Sequence, residues 1–123
     1  MTMTQIEQFQ APKPDEDQAI FLVNVVHVKP GQQDAALEVL RDTVHYVAQT
    51  YPAFTWSRLY KSLDGKTVIN QAQWSSKDAF DSLFQDEAFL SRYSGLKETG
   101  TWEFHLYQVS DFIPQALTET LPQ

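Results

Sequence analysis

Apolar residues recur along this chain with two different periods. From Ile20 to Lys29 (IFLVNVVHVK) the β-branched and other apolar residues run almost without a break, as in a strand covered on both faces, and Pro30-Gly31 ends the run. From about Gln32 to Thr50 the period becomes helical. Ala36, Leu40, Val44, Val47 and Ala48 make one stripe, with Asp34, Glu38, Arg41 and Asp42 mostly away from it. After Tyr51-Pro52 a second strand is expected from about Ala53 to Ser62. Asp64-Gly65 signals a hairpin, because glycine accepts the positive φ that tight turns between antiparallel strands demand, so a third strand should follow and reach Trp74. Ser75, three residues ahead of Asp78, predicts the N-cap of a second helix with Ala79, Phe80, Leu83 and Phe84 on its apolar face. Gln85-Asp86-Glu87 interrupts that helix before a short turn carrying Phe89, Leu90 and Tyr93, and Gly95 to Gly100 forms a connector. Trp102 to Phe112 (WEFHLYQVSDF) predicts the last strand, and Pro114 begins a polar tail.

The predicted order β-α-β-β-α-β is that of an α+β, ferredoxin-like domain: a four-stranded antiparallel sheet with both helices on one face and strands one and three at its centre. The domain should occupy residues 19–113, between a flexible arm at 1–18 and a tail at 114–123. The first strand is apolar on both sides, with Phe21, Val23 and Val25 on one and Leu22, Val26 and Val28 on the other. The helices cover only one of these faces. A second copy of the same sheet is the simplest cover for the other, which predicts a homodimer forming an α/β barrel.

Alternation along the third strand sends Val68, Asn70, Ala72 and Trp74 to one face and Thr67, Ile69, Gln71 and Gln73 to the other. Asn70 and Trp74 then stand roughly 13 Å apart with the small Ala72 between them, a slot with an amide at one end and an aromatic face at the other. The same spacing also fits a core tryptophan and a satisfied buried amide. Asn24 interrupts the apolar first strand, and burying an unpaired amide costs about 1–3 kcal/mol, so it needs a partner or a ligand. Its strand should neighbour that of Asn70. Two amides and an indole could hold a planar ligand and donate hydrogen bonds where negative charge develops on oxygen, although Asn24 could equally pair only with backbone or with Asn70. His27 leaves its strand on the opposite face from Asn24, and His45 has no second histidine at ligand spacing. His105, on the face shared with Glu103 and Tyr107, is either a proton carrier or a hydrogen-bonded sheet histidine.

Composition narrows the chemistry. The 123 residues include no cysteine and three widely scattered histidines, which removes disulfides, thiolate nucleophiles and cysteine-based metal sites. A net charge of −7 opposes nucleic-acid binding and offers no basic face to anionic lipid. No window approaches a membrane span, and residues 1–18 lack the regions of a signal peptide, so the cytoplasm is the default compartment. No phosphate loop, dinucleotide fingerprint, nucleophile elbow or metal motif occurs.

Laid out this way, NVVHVKPG (Asn24 to Gly31), the Pro52 to Phe54 segment before RLYKSLDG (Arg58 to Gly65), VINQAQWSSKDAF (Val68 to Phe80) and HLYQV (His105 to Val109) resemble the antibiotic biosynthesis monooxygenase family of small dimeric α+β barrel proteins. The resemblance covers about Phe21 to Phe112, with Ala53 standing where the family usually has glycine. Within the family the chain looks closest to the cofactor-independent anthrone oxygenases. That resemblance implies oxidation of a small aromatic substrate by O₂ with no cofactor, with Asn24, Asn70 and Trp74 as catalytic residues; on the strand face that these share, Ala72 and Val68 are expected to line the substrate site, and His105 stands as the possible proton carrier. Haem-degrading relatives use an axial histidine on the helix after the tryptophan strand, and residues 77–104 contain none. A non-enzymatic barrel that binds a small hydrophobic molecule would use the same lining residues.

Overall fold

Ile20–Val28 forms β1, Gln33–Thr50 helix α1, Phe54–Lys61 β2 and Thr67–Trp74 β3. Lys77–Asp81 (α2) and Glu87–Tyr93 (α3) follow, each continued by a single 3₁₀ segment, at Ser82–Gln85 and Ser94–Glu98, before β4 at Gly100–Tyr107. The computed structural model describes residues 19–116; the arm expected at 1–18 and the end of the tail at 117–123 lie outside the described residues. The order is β-α-β-β-α-β, with the second helix in pieces. All four strands are antiparallel neighbours in the order β2-β3-β1-β4, so β3 and β1 are central as the order of elements predicted.

The connection from β2 to β3 runs over residues 62–66 and is closed by local polar groups. Gly65 takes a φ of 78°, a conformation that side chains with a Cβ resist. The Ser62 hydroxyl donates to Asp64 at 2.7 Å and accepts from the backbone N–H groups of Lys66 and Thr67 at 3.1 and 2.9 Å. Those bonds set the register in which β3 leaves the turn.

The helices pack on one face of the sheet, where two apolar clusters form. One gathers Ile20, Val47, Ala72, Trp74, Phe80, Leu83 and Phe89. The other gathers Val26, Ala36, Leu40, Val68 and Leu96. On the buried side of α1, Thr43 takes a place that the apolar stripe did not foresee, returning its hydroxyl to the Val39 carbonyl at 2.8 Å, whereas Ala48 is exposed. The opposite sheet face carries half-buried Phe21, Val23, Val25, Trp56 and Ile69. Neither apolar cluster includes any of these residues.

Three local expectations are corrected. The N-cap of α2 is Ser76 and not Ser75: the Ser76 hydroxyl accepts from the Ala79 N–H at 3.1 Å, while Ser75 donates to the Ala53 carbonyl at 3.3 Å. β4 begins two residues earlier than Trp102 and stops at Tyr107, because its partner strand ends; Tyr107 pairs with Phe21, next to the first residue of β1. Val109, Phe112 and Ile113 consequently stand exposed beyond the sheet.

Asp86 explains the break in the second helix. Its backbone is extended, and one carboxylate oxygen accepts from the N–H groups of Ala88 and Phe89 at 2.9 and 3.2 Å, capping α3. The other accepts the Tyr51 and Tyr46 hydroxyls of α1 and its end at 2.6 and 2.7 Å. The two phenols hold the Asp86 carboxyl below its usual range, Tyr51 most. Burial, then the bond to Asp86, pushes Tyr51 up to about 12.

At Gly100 a Cβ would lie 2.0 Å from the His27 carbonyl oxygen of the central strand. Gly100→Ala is therefore expected to lower stability by about 1–3 kcal/mol or more, seen as a lower thermal midpoint. The ionisation of Tyr51 gives a second expectation. Folded Tyr51 holds its proton to about 12 against an ordinary 10.0, so this stabilisation is complete below the ordinary value and is lost as pH rises through the folded one. Thermal midpoints recorded upward from about pH 9 should hold and then fall above about pH 10, and Tyr51→Phe should make that fall shallower. An identical fall in the variant would remove Tyr51 as a source.

Candidate functional site

Asn24 and Asn70 face each other directly across β1 and β3. Both side chains project to the helix side of the sheet, where they are 2% and 7% exposed. They lie on the boundary between the two apolar clusters: Val26 and Val68 belong to one, and Ala72 and Trp74 to the other. A cavity of about 40 Å³ opens beside them. Asn24, Asn70, Ala72 and Trp74 all line it, joined by Leu22 of β1, Val44 of α1 and Phe104 of β4. Its outer wall is Phe80, Leu83, Phe84 and Phe89, from the broken second helix.

One end is polar and the rest aromatic. Asn24 Nδ2 donates to the Tyr93 hydroxyl at 3.0 Å, and its Oδ1 is buried without a partner among the described residues. Asn70 Oδ1 accepts from the Ser57 hydroxyl on β2. Burial pushes Tyr93 up to about 12, partly opposed by the bond from Asn24. At the other end Trp74 is 2% exposed, with Tyr51, Phe54 and Phe80 tilted or edge-on to its ring at centroid distances of 5.9, 5.7 and 5.6 Å. Trp74 is thus both core and cavity wall. Phe84, 37% exposed, stacks on Phe104 at 5.8 Å and 12°. At roughly 10–15 Å³ for each water centre, the cavity holds a few waters, so a polycyclic guest requires the Phe80–Phe84 wall to move outward.

Among the described residues the lining contains no carboxylate, histidine, lysine or arginine, and Tyr93 is its one titratable side chain. A negative charge arising here would meet neutral polar groups only. Among the described residues no group of three or more His, Cys, Asp or Glu is placed to hold a metal ion.

Two of the expected site residues stand elsewhere. Val68, on the same strand face as Asn70, is fully buried among Val26, Ala36, Leu40 and Leu96 and does not line the cavity, because the amide pair separates it from the space around Trp74. His105 pairs with Val23 on the outer face of the sheet, exposed, with Nε2 3.6 Å from Glu103. Strand alternation puts it on the far side of the sheet from both amides. His27 is likewise on the outer face. Tyr93 escaped the sequence reading, since its partner Asn24 lies 69 residues away and nothing local marks the contact.

With the geometry in view, the relatives of the chain become informative. Tetracenomycin-F1 monooxygenase of Streptomyces glaucescens is 32% identical over 80 residues, which span 62% of this chain and 65% of that protein. The cofactor-independent oxygenase SnoaB of Streptomyces nogalater superimposes with a TM-score of 0.70 at 24% identity, over 80% of this chain and 99% of that one. The monooxygenase from the ActVA-Orf6 gene of Streptomyces coelicolor, solved with nanaomycin D, gives 0.70 at 22% identity over 85% and 96%. At these identities the two structures share the fold. The sequence pattern of the antibiotic biosynthesis monooxygenase family matches residues 19–93, from the start of β1 through Tyr93. The chain therefore belongs to the antibiotic biosynthesis monooxygenase family.

Proposed function

We propose that this protein is a cofactor-independent monooxygenase that oxidises a polycyclic or quinol-type aromatic compound with O₂, in the manner of an anthrone oxygenase. The observation that carries the reading is the facing pair Asn24 and Asn70 at the polar end of an uncharged cavity walled by Trp74 and phenylalanine rings. The similar proteins from Streptomyces glaucescens and Streptomyces nogalater, described as a monooxygenase and a cofactor-independent oxygenase, support it.

An anthrone carries an acidic benzylic methylene. Loss of one proton to water leaves a carbanion delocalised onto the ring oxygen, and one electron passes from it to O₂. The resulting radical and superoxide combine at carbon, protonation gives a hydroperoxide, and loss of water leaves a carbonyl. The net change converts CH₂ and O₂ into C=O and H₂O. Asn24 and Asn70 would hold the oxygen on which the negative charge rests, while Trp74 would stack on the rings. No residue of the lining is a base stronger than neutral tyrosine, so the substrate must supply its own acidity.

Oxygen-electrode measurements with anthrones, hydroquinones and naphthols, with no added reductant, should show O₂ uptake. Asn70→Ala should reduce the rate by about 10²–10³, as loss of one oxyanion donor does. Trp74→Phe should reduce it while leaving the protein folded, and His105→Ala should leave it unchanged. Uptake that requires a nicotinamide would indicate another class of oxygenase, and binding without uptake a non-enzymatic carrier.

We also propose a homodimer built on the outer sheet face. Phe21, Val23, Val25, Trp56 and Ile69 form an apolar surface there that a second copy would bury. Sedimentation should give twice the 14.1 kDa chain mass at micromolar concentration. Val23→Asp together with Ile69→Asp should yield the monomer. A wild-type protein that sediments as a monomer removes this interface.

A further inference from the structure

On the outer face of the sheet, among the described residues of its four strands, Arg58 and Glu103 are the only arginine, lysine or carboxylate side chains. Arg58 lies on β2 and Glu103 on β4, the two edges of the sheet, and both are exposed. Between them is the apolar patch of Phe21, Val23, Val25 and Ile69 that a second copy would bury. The Arg58 guanidinium rests over the Trp56 ring at 5.3 Å and forms no ion pair among the described residues. The Glu103 carboxylate has only the His105 imidazole, at 3.6 Å, beyond hydrogen-bond distance. The neutral polar side chains around Arg58 are matched within the chain: Trp56 Nε1 donates to Gln73 Oε1 and the Tyr60 hydroxyl to Gln71 Oε1, each at 2.8 Å.

A two-fold axis between two such faces brings equivalent surfaces together, so that a residue and its contact exchange places across it. With the axis across the strands, each edge lies on its own counterpart: Arg58 meets Arg58 of the partner subunit and Glu103 meets Glu103 of the partner subunit, like charge against like beside an apolar patch. With a diagonal axis both charges fall on the central strands, which offer no opposite charge on this face. We propose that the axis runs along the strands, so that β2 of each copy lies against β4 of the other and Arg58 pairs with Glu103 of the partner subunit, twice in each dimer. This pairing presupposes the homodimer proposed above and fixes how its two halves are turned. Arg58, Gln71, Val23 and His105 stand level across the sheet, and Glu103 is the next residue on the same side of β4, a step of about 7 Å that a long arginine side chain spans. The same turn sets the free edge of β2 beside the free edge of the second copy's β4, which closes the two sheets into a barrel. Burying either charge without its opposite is strongly unfavourable, so the pair selects this arrangement from the three.

The test is charge exchange in the full-length protein, read by sedimentation over a range of concentrations. Arg58→Glu and Glu103→Arg each set like charges together at both symmetry-related contacts, and each should raise the dimer dissociation constant about hundredfold or more. The double variant restores both pairs with their signs exchanged and should return to within about tenfold of wild type. Native mass spectrometry of the double variant mixed with isotope-labelled wild type then reads the orientation. Each protein should associate with itself, and the mixed dimer, which would hold two like-charge contacts, should be scarce. An axis across the strands gives the opposite pattern, with single reversals that behave as wild type and mixed dimers in excess. Both side chains are exposed in the single chain, so the reversals leave its core untouched. Should the double variant fail to fold, a mixture of the two single variants serves in its place, since their heterodimer carries opposite charges at both contacts. Single reversals that leave the dimer intact, a folded double variant that stays monomeric, or mixed dimers at or above the statistical proportion overturn the pairing and leave the homodimer standing. A wild type that sediments as a monomer removes both.

Discussion

The facing of Asn24 and Asn70 across the two central strands is the constraint on which the rest of this structure depends. Two amides in adjacent positions of a sheet interior interrupt what would otherwise be one continuous apolar core, and the described residues accordingly show two clusters with the pair on the boundary between them. The amides have to be satisfied, and the chain does so from two directions: Ser57 reaches Asn70 from the edge strand, and Tyr93 reaches Asn24 from the helical layer. What is left is one carbonyl oxygen beside an open space. A sequence optimised for packing alone would place valine or leucine at both positions, as it does at Val26 and Val68 two pairs further along.

The two sides of the cavity are built by different means. The sheet side is held by continuous ladders of backbone hydrogen bonds and central strands. The helical side is a series of short pieces, none long enough to be stable in isolation, joined to α1 through the Asp86 carboxylate and to each other through phenylalanine edges and faces. Outward movement of that wall to admit a guest breaks few hydrogen bonds, whereas any shift of the amides would disturb the sheet. Asp86 acts as the anchor at one end, since α3 begins on it and α1 holds it.

Much of this was legible from the chain itself because strand parity is a rigid rule. Once β1 and β3 were placed, alternation alone sent Asn24, Asn70, Ala72 and Trp74 inward and His27 outward, and the topology made the two strands neighbours. The same rule placed His105 outside as soon as β4 was paired in register with β1, which the chain does not disclose before folding. Val68 shows where parity stops being informative: it shares a face with Asn70, but which of two clusters it joins depends on how far along the sheet the cavity extends. Tyr93 was out of reach for a different reason, since its meaning comes from a contact between segments far apart in sequence. Local terminations, at Ser76 and Tyr107, turned on hydrogen-bond partners supplied by neighbouring segments.

The broken second helix has a consequence for how such a protein can diversify. The side chains that bound the outer part of the cavity, Phe80, Leu83, Phe84 and Phe89, all come from one stretch of fewer than a dozen residues, while the amides and the indole come from the sheet. Shape selection and reactivity are thus written on separate segments. Exchange or length variation of the Lys77–Tyr93 stretch can change which molecules fit without moving the polar groups they meet, so descendants of one such fold can inherit a common chemistry and differ in the compounds to which they apply it.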